Sequence, residues 1–485
     1  MSDPKPTVLV IGDVMLDRAV CGEMTRVSPE AAAPVVAQDD FTESVGGAGN
    51  VAHNIVTLGG HAKLLGVVGD DAAGRRVGEL LNEAGVVSCL PQGPDGTRTS
   101  VKTRIMAGGQ YLCRADDETL PLSNDKAVIA GLNYGLAEGT AVRLVCVADY
   151  AKGVMTDAVW SALRQRCQEL AIPIFVDCRP DCVEQYENVD LLKPNSNEAR
   201  DMVDRYNVVH PGVFAGEPES ILQELRRAGN FGSVLMTQGS DGCMYFNPWD
   251  NQIHSFQSSP QQIYDVCGAG DTVMAAMAVG YLEGKSFDTC VQFAMYAAGM
   301  VVRHRGVVPA HRDAVDEFRY EATGWAAKCM DRDDALAFVR RRRRRRQSIV
   351  LANGCFDGLH AGHIELLRAA VRQGDCLVVA CNDDTSLREL KGDNRPLVGE
   401  SYRLSHLALL DVVDTVFLFD GDVESLVRQL KPDVLVKGQD AAAEPIPGAD
   451  YVASHGGKLS LTPIIFNLSS SRLGDDNAKN STKKS

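Results

Sequence analysis

Short runs of consecutive apolar, largely β-branched residues alternate with stretches patterned as helices, and this alternation constrains the fold of the chain more than any other feature. Thr7 to Gly12 is one such run, closing in Gly12-Asp13, and similar runs lie near Leu144 to Val147, Pro173 to Val176 and Ser233 to Thr237. Helix-patterned stretches, among them 157–169 and 220–228, separate them. A strand that is apolar at every position has no side to turn to water, so it belongs in a parallel sheet covered by helices on both faces. A second set begins at Ser348 and continues at Cys376 to Ala380, Val413 to Phe419 and Asp433 to Val436. The pattern predicts an α/β protein with two sheets. Its expected divisions are a first domain over 1–325, a linker over 326–347, a smaller second domain over 348–473 and a disordered polar tail over 474–485.

The linker is a helical stretch of mixed charge that ends in the arginines 340–346. Such a run can bind nucleic acid or be a solvated connector; the formal net charge of -15 and the lack of interleaved aromatic residues favour the connector. The same acidity argues against a broad nucleic-acid or membrane surface, while a small cationic pocket remains compatible with it. The 14 cysteines form no C-x-x-C pair, and several sit in apolar runs such as Val145-Cys146-Val147. They read as reduced core residues of a cytoplasmic protein. No signal-peptide pattern opens the sequence, and no apolar run reaches the roughly 18 residues of a membrane span. A soluble enzyme is expected.

Two glycine-punctuated turns carry the chemistry. In the first, Asp265-Val-Cys-Gly-Ala-Gly-Asp-Thr272 precedes a helix of small apolar residues, 272–281. Glycines at a helix start let main-chain N–H groups converge on a phosphate, and a carboxylate directly after them, Asp271, is placed to take the proton of an attacking alcohol. Gly46-Gly-Ala-Gly-Asn-Val-Ala52 is a second close-approach loop, in which Asn50 can donate and accept. Asn195 and Glu198 form an Asn-x-x-Glu pair, which can serve a ligand or simply cap a helix, and Thr237-Gln-Gly-Ser-Asp-Gly242 adds another turn.

The second turn is Asn353-Gly-Cys-Phe-Asp-Gly-Leu-His-Ala-Gly-His363, between an apolar strand and a helical stretch, 364–371. Its two imidazoles straddle the helix start, where free N–H groups and the helix dipole already favour phosphate. His360 and His363 could ligate a metal, although no third ligand stands nearby in sequence. As hydrogen-bond donors to a triphosphate they need none.

The first set of motifs resembles the ribokinase-like (PfkB) carbohydrate kinases over roughly residues 7 to 325. The resemblance implies a three-layer α/β fold in which Asp271 is the base and Gly268, Ala269 and Gly270 form the anion hole. It also implies that Asn195 and Glu198 organise Mg²⁺ and phosphate, that Thr237, Gly239 and Gly242 line the nucleotide, and that Asp13 and Asn50 hold sugar hydroxyls. Gly12-Asp-Val-Met-Leu-Asp-Arg18, Thr99-Ser-Val-Lys-Thr-Arg104 and Asp149-Tyr-Ala-Lys-Gly153 look like the heptose-7-phosphate kinase branch. A substrate that already bears phosphate needs cations, for which Lys102, Arg104, Arg114 and Lys152 are candidates, each of them equally a possible surface charge.

From about 348 to 472 the chain is similar to the cytidylyltransferase-like nucleotidyltransferases with their His-x-Gly-His signature. By that resemblance His360 and His363 stabilise charge as pyrophosphate leaves, Lys391 and Arg395 contact phosphates, and Asp383 and Lys437 lie near nucleotide or substrate in a Rossmann-like domain. The two domains together resemble the bifunctional kinase–adenylyltransferases of ADP-heptose synthesis. The resemblance implies ATP and Mg²⁺, sugar phosphates as substrates, and a homodimer formed through the kinase domain. The chain departs from the usual pattern at Asp177-Cys-Arg179, Cys267, Gln439 and Asn467-Leu-Ser-Ser-Ser471. Rival expectations are another sugar kinase fused to a cytidylyltransferase, and a nucleotide-binding regulator that docks a partner on 340–346.

Overall fold

A computed structural model describes residues 5–462 except 109, 121–122, 210–215, 259–262 and 440–444. The expected tail over 474–485 and the Asn467 to Ser471 departure lie outside the described residues. The chain divides into two compact units, Met1–Phe318 and Arg319–Ser485.

In the first unit the strands are β1 (Thr7–Gly12), β2 (Val14–Val27), β3 (Pro34–Gly47), β4 (Ala62–Leu65), β5 (Val87–Cys89), β6 (Ser100–Ala107), β7 (Gln110–Asp117), β8 (Val142–Asp149), β9 (Ile174–Cys178), β10 (Leu191–Leu192), β11 (Ser233–Thr237), β12 (Cys243–Asn247) and β13 (Gln252–Phe256). Nine of them form one sheet in the order β13-β12-β11-β10-β9-β8-β1-β4-β5. Its centre is parallel, as the continuous apolar runs require; the β11–β12–β13 edge is antiparallel. β1 is buried at every residue and β8 at all but Arg143.

The other four strands form a separate sheet, β3-β2-β6-β7, in which β2 and β6 are parallel and both outer pairings antiparallel. β2 starts buried at Val14 to Asp17 and ends exposed, and β3 does the reverse. One end of this ribbon is thus anchored in the core and the other stands in solvent. The helix Ala269–Leu282 is buried along nearly its whole length. Small residues allow that close packing: a Cβ on Gly280 would lie 2.8 Å from Cys290 Sγ of the helix Phe287–Val301.

The second unit carries β14 (Ile349–Gly354), β15 (Cys376–Asn382), β16 (Thr415–Phe419), β17 (Val434–Gly438) and β18 (Lys458–Thr462), an all-parallel sheet in the order β16-β15-β14-β17-β18. The segment expected as a linker is mostly helix, Arg332–Arg344, capped by the Asp331 side chain on Asp334 N–H. Ala335, Phe338 and Val339, spaced i, i+3, i+4, join the core formed with Ile349, Leu426 and Leu430. The arginines continue this helix: Arg342 lies over the Phe338 ring at 4.7 Å, and Arg343 donates to the Lys431 carbonyl. Burial of three apolar residues on one face outweighs the solvation of the arginines, so the segment packs as part of the second unit. Phe338→Ala should therefore lower the stability of that unit by about 3 kcal/mol. Calorimetry would register this as a fall in one unfolding transition; a free connector would change neither transition.

Candidate active sites

Asp271 sits in the first turn of Ala269–Leu282 and is 6% exposed. Gly268 precedes that helix in the left-handed region, φ 76°, and a Cβ there would lie 2.8 Å from Asn50 Nδ2. Asn50 Nδ2 donates to Asp271 Oδ2 at 2.8 Å, and Tyr150 Oη donates to Asp271 Oδ1. Burial raises the carboxyl to about 6, while the two hydrogen bonds oppose the rise. A carboxylate so tuned is ionised at neutral pH and still basic enough to take a proton. Asn50 therefore holds the base, and its own Oδ1 accepts from Asn54 Nδ2 at 2.9 Å.

The turn also places a residue whose role was not legible in the sequence. Lys193, just past β10, is buried and bonded to Asp177 at 2.9 Å, and a Cβ on Gly270 would meet its Nζ at 3.2 Å. Burial works against the ammonium, and Asp177 with Glu198 and Asp271 outweighs it, so Lys193 stays charged against the glycine turn. The only local hint was a lysine in the apolar run Leu191-Leu-Lys-Pro194.

Four cations expected from separate stretches converge. β6 and β7 pair Arg104 with Arg114, and β2 and β6 pair Asp17 with Lys102. Burial lowers the Lys102 ammonium, with Lys152, Arg114 and Arg104 adding to the effect against Asp17. Arg104 is buried on Asp17, Lys152 bonds Glu118, and Arg114 is held bidentate by Asp116 at 2.7 and 2.8 Å. These like charges are held close by carboxylates, an arrangement suited to a dianion.

Other expected residues have structural partners of their own. Asp13 is buried, and its carboxylate accepts from the Tyr150, Lys152 and Val154 N–H groups, so it fixes the loop after β8. Burial, then Asp149, raises it to about 6. Asn195 and Glu198 cap the helix Ser196–Val209: Asn195 N–H donates to Glu198 Oε2 at 2.9 Å, and Asn195 Oδ1 accepts from Glu198 N–H at 3.0 Å. Thr237 lies beside Asn195 through an isolated bridge, which brings the 237–242 turn to this helix start. Gly239 and Gly242 both have positive φ, and a Cβ on Gly242 would collide with the Phe256 carbonyl at 1.9 Å.

In the second unit His360 is the N-cap of Ala361–Val371 and His363 lies in its first turn. Their rings stack at 3.8 Å, with Phe356 at 5.2 Å from His363. Among the described residues the buried Nδ1 of His360 has no hydrogen-bond partner, and His363 interacts with the Gly358 backbone. Burial, then His360 and Lys391, lowers His363 to about 4, and burial with Lys391 lowers His360. The imidazoles are thus neutral at pH 7 and stand at a helix start beside a lysine, an arrangement that suits an anion.

Around them, the fully buried Asp357 ties down the loop 395–398, accepting from Arg395 at 2.8 Å and from Leu397 and Val398 N–H groups. Lys437 Nζ donates to the Asn353 carbonyl at 3.1 Å. Asp383 caps Asp384–Lys391 by accepting from Ser386 N–H at 2.7 Å, which aims that helix toward the histidines through its last residue, Lys391. Arg403, buried at 1% exposure, bonds the Cys355 and Asn382 carbonyls and Asp384. It fastens the ends of β14 and β15 together.

These folds and turns define a carbohydrate kinase and a nucleotidyltransferase carried on one polypeptide. Residues 5–313 match the pfkB family carbohydrate kinases and residues 351–455 the cytidylyltransferase-like family. The chain is 37% identical over 472 residues to the "Bifunctional protein HldE" of Caulobacter sp. (strain K31), covering 96% of this chain and 95% of that one. It is 36% identical over 471 residues to the protein of that name from Coxiella burnetii (strain Dugway 5J108-111), covering 97% and 96%. The chain belongs to the HldE family of bifunctional proteins. Among solved structures, phosphofructokinase-2 from Escherichia coli in complex with fructose-6-phosphate covers 66% of this chain and 99% of its own, with a TM-score of 0.53 and 18% identity, a likeness of fold alone. Among the described residues no helix is long and apolar enough to cross a membrane.

Proposed function

We propose that the first unit transfers the γ-phosphate of ATP to the anomeric hydroxyl of heptose 7-phosphate, and that the second joins heptose 1-phosphate to ATP, giving ADP-heptose and pyrophosphate. The observation that carries the kinase half is a buried, hydrogen-bonded Asp271 at a glycine helix start, in the same unit as four converging cations. Asp271 accepts the proton of the sugar hydroxyl, the Gly268 to Gly270 turn with Lys193 receives the transferring phosphoryl group, and Lys102, Arg104, Arg114 and Lys152 hold the phosphate already present. Mg²⁺ would enter on the ATP phosphates, neutralising their charge, with the Glu198 carboxylate as its protein contact; such an ion needs only one or two carboxylates.

In the second unit the nucleophile is a phosphate, already anionic, so no base is needed. His360, His363 and Lys391 orient the triphosphate and neutralise charge as pyrophosphate departs. We infer also that two copies associate through the first unit, since Met24, Val27, Phe41 and Tyr111 leave apolar surface exposed on the β3-β2-β6-β7 sheet.

Offering the purified protein heptose 1-phosphate with each nucleotide, and following pyrophosphate release, tests the transferase reading. ADP-heptose formed from ATP is the expected product. Turnover with CTP alone would replace this reading with that of a cytidylyltransferase.

A further inference from the structure

We propose that Tyr150 is a positioning residue that occupies the catalytic base until a sugar phosphate displaces it. The inference rests on the kinase reading above. Asp271 has two oxygens: Oδ2 accepts from Asn50, and Oδ1 accepts from the Tyr150 hydroxyl. The acceptor sugar must donate its own hydroxyl to one of these oxygens. Asn50 is fixed on a buried helix by Asn54, so Oδ1 is the oxygen that can be vacated.

The position of Tyr150 suits it to respond to a sugar phosphate. It stands on the loop after β8 whose N–H groups converge on Asp13, and Lys152 of the phosphate cluster is two residues further on the same loop. Lys102 of that cluster lies over the Tyr150 ring at 5.8 Å. A phosphate bound by Lys102 and Lys152 therefore pulls on the two groups that border the phenol. As the phenol swings away, the sugar hydroxyl takes its place on Oδ1. In the transfer that follows, the sugar oxygen forms its bond to the γ-phosphorus, the bond from that phosphorus to the bridging oxygen of ADP breaks, and Asp271 receives the hydroxyl proton. Before sugar arrives, the phenol fills the place that a water molecule would otherwise use to attack ATP.

The charged groups facing this pair come from several elements: Asp177 at the end of β9, Lys193 after β10, Glu198 on its helix and Lys102 on β6. Tyr150→Phe leaves all of them in place and removes only the hydroxyl. Its hydrogen bond favours the ionised carboxylate, so its loss raises the group that must be deprotonated for catalysis. The acid limb of kcat/KM for sugar phosphorylation should move up by about one pH unit. ADP release from ATP without sugar should rise roughly ten-fold.

An acid limb and a sugar-free rate both equal to those of wild type overturn the proposal. The wild-type protein gives a second readout, because release of a phenol from a carboxylate changes tyrosine absorption when heptose 7-phosphate binds; a flat difference spectrum also overturns it. A wild type that phosphorylates no sugar phosphate would instead sink the kinase reading, and sugar-free ADP release would still report on Tyr150.

Discussion

Asp271→Asn should lower sugar phosphorylation roughly a thousand-fold while leaving adenylyl transfer at its wild-type rate. Asparagine keeps the volume and can still bond Asn50 and Tyr150 after rotation of its amide, so the helix start survives. What it loses is a site for the proton. In the wild type that site lies at about 6, raised mainly by burial, so the kinase rate should climb as pH rises through 6 and level off above it. The sign follows from the role: a base must be unprotonated to act, and below its pKa it is not. In Asp271→Asn the residual rate should lose this limb. A coupled assay for ADP at several pH values, beside a pyrophosphate assay on the same preparation, separates loss of the base from loss of the fold. Equal losses in both assays would mean that the substitution had damaged the protein and would remove the support for Asp271 as base.

Where the sequence was informative, burial was one-dimensional. β11 has the bounds of the apolar run from Ser233 to Thr237, and β15 begins where Cys376 begins its run, because a strand buried on both faces must be apolar throughout. The His360 and His363 pair falls on a helix N-cap and first turn as its glycine spacing implied. The β3-β2-β6-β7 sheet escaped that reading for the opposite reason. Its strands pass from core to solvent along their length, so β2 turns from Val14-Met-Leu into Gly22-Glu-Met, and neither a continuous nor an alternating pattern survives. In the Arg332–Arg344 helix the apolar spacing of Ala335, Phe338 and Val339 was present, but the arginines dominate any composition-based view.

The candidate sites divide similarly. Residues within one turn could be grouped from spacing, as Gly268 to Asp271 were. Partners supplied from afar could not be: Asn50 and Tyr150 reach Asp271 across 221 and 121 residues. A tyrosine beside Asp149 carries no local mark of contact with a helix so much later in the chain. The four cations could be nominated by type, yet strand pairing is what gathers Lys102, Arg104 and Arg114, since β6 pairs with β7, and Lys152 joins them from the loop after β8.

His363→Ala should reverse the pattern of Asp271→Asn, lowering adenylyl transfer by roughly two to three orders of magnitude and leaving sugar phosphorylation intact. His360 and His363 stack at a helix start, and the buried Nδ1 of His360 has no hydrogen-bond partner among the described residues. A buried polar atom without a partner is costly, of the order of 1–3 kcal/mol, and such an atom on one of two rings whose centroids lie 3.8 Å apart beside Lys391 forms an arrangement that a triphosphate would relieve. Because burial, then His360 and Lys391, hold His363 near 4 against the Gly358 backbone bond, the free protein carries it neutral at pH 7, and an arriving anion raises it. ATP binding should therefore take up protons at pH values just above 4, and the affinity should strengthen as pH falls toward 4. Calorimetry in buffers of different ionisation enthalpy measures the uptake, and His363→Ala should lose a large part of it. A metal-centred role would behave otherwise: protons would compete with the metal, affinity would weaken on acidification, and a chelator would mimic the substitution. Proton uptake that is unchanged in His363→Ala, together with transfer near the wild-type rate, would remove the histidine pair from the reaction.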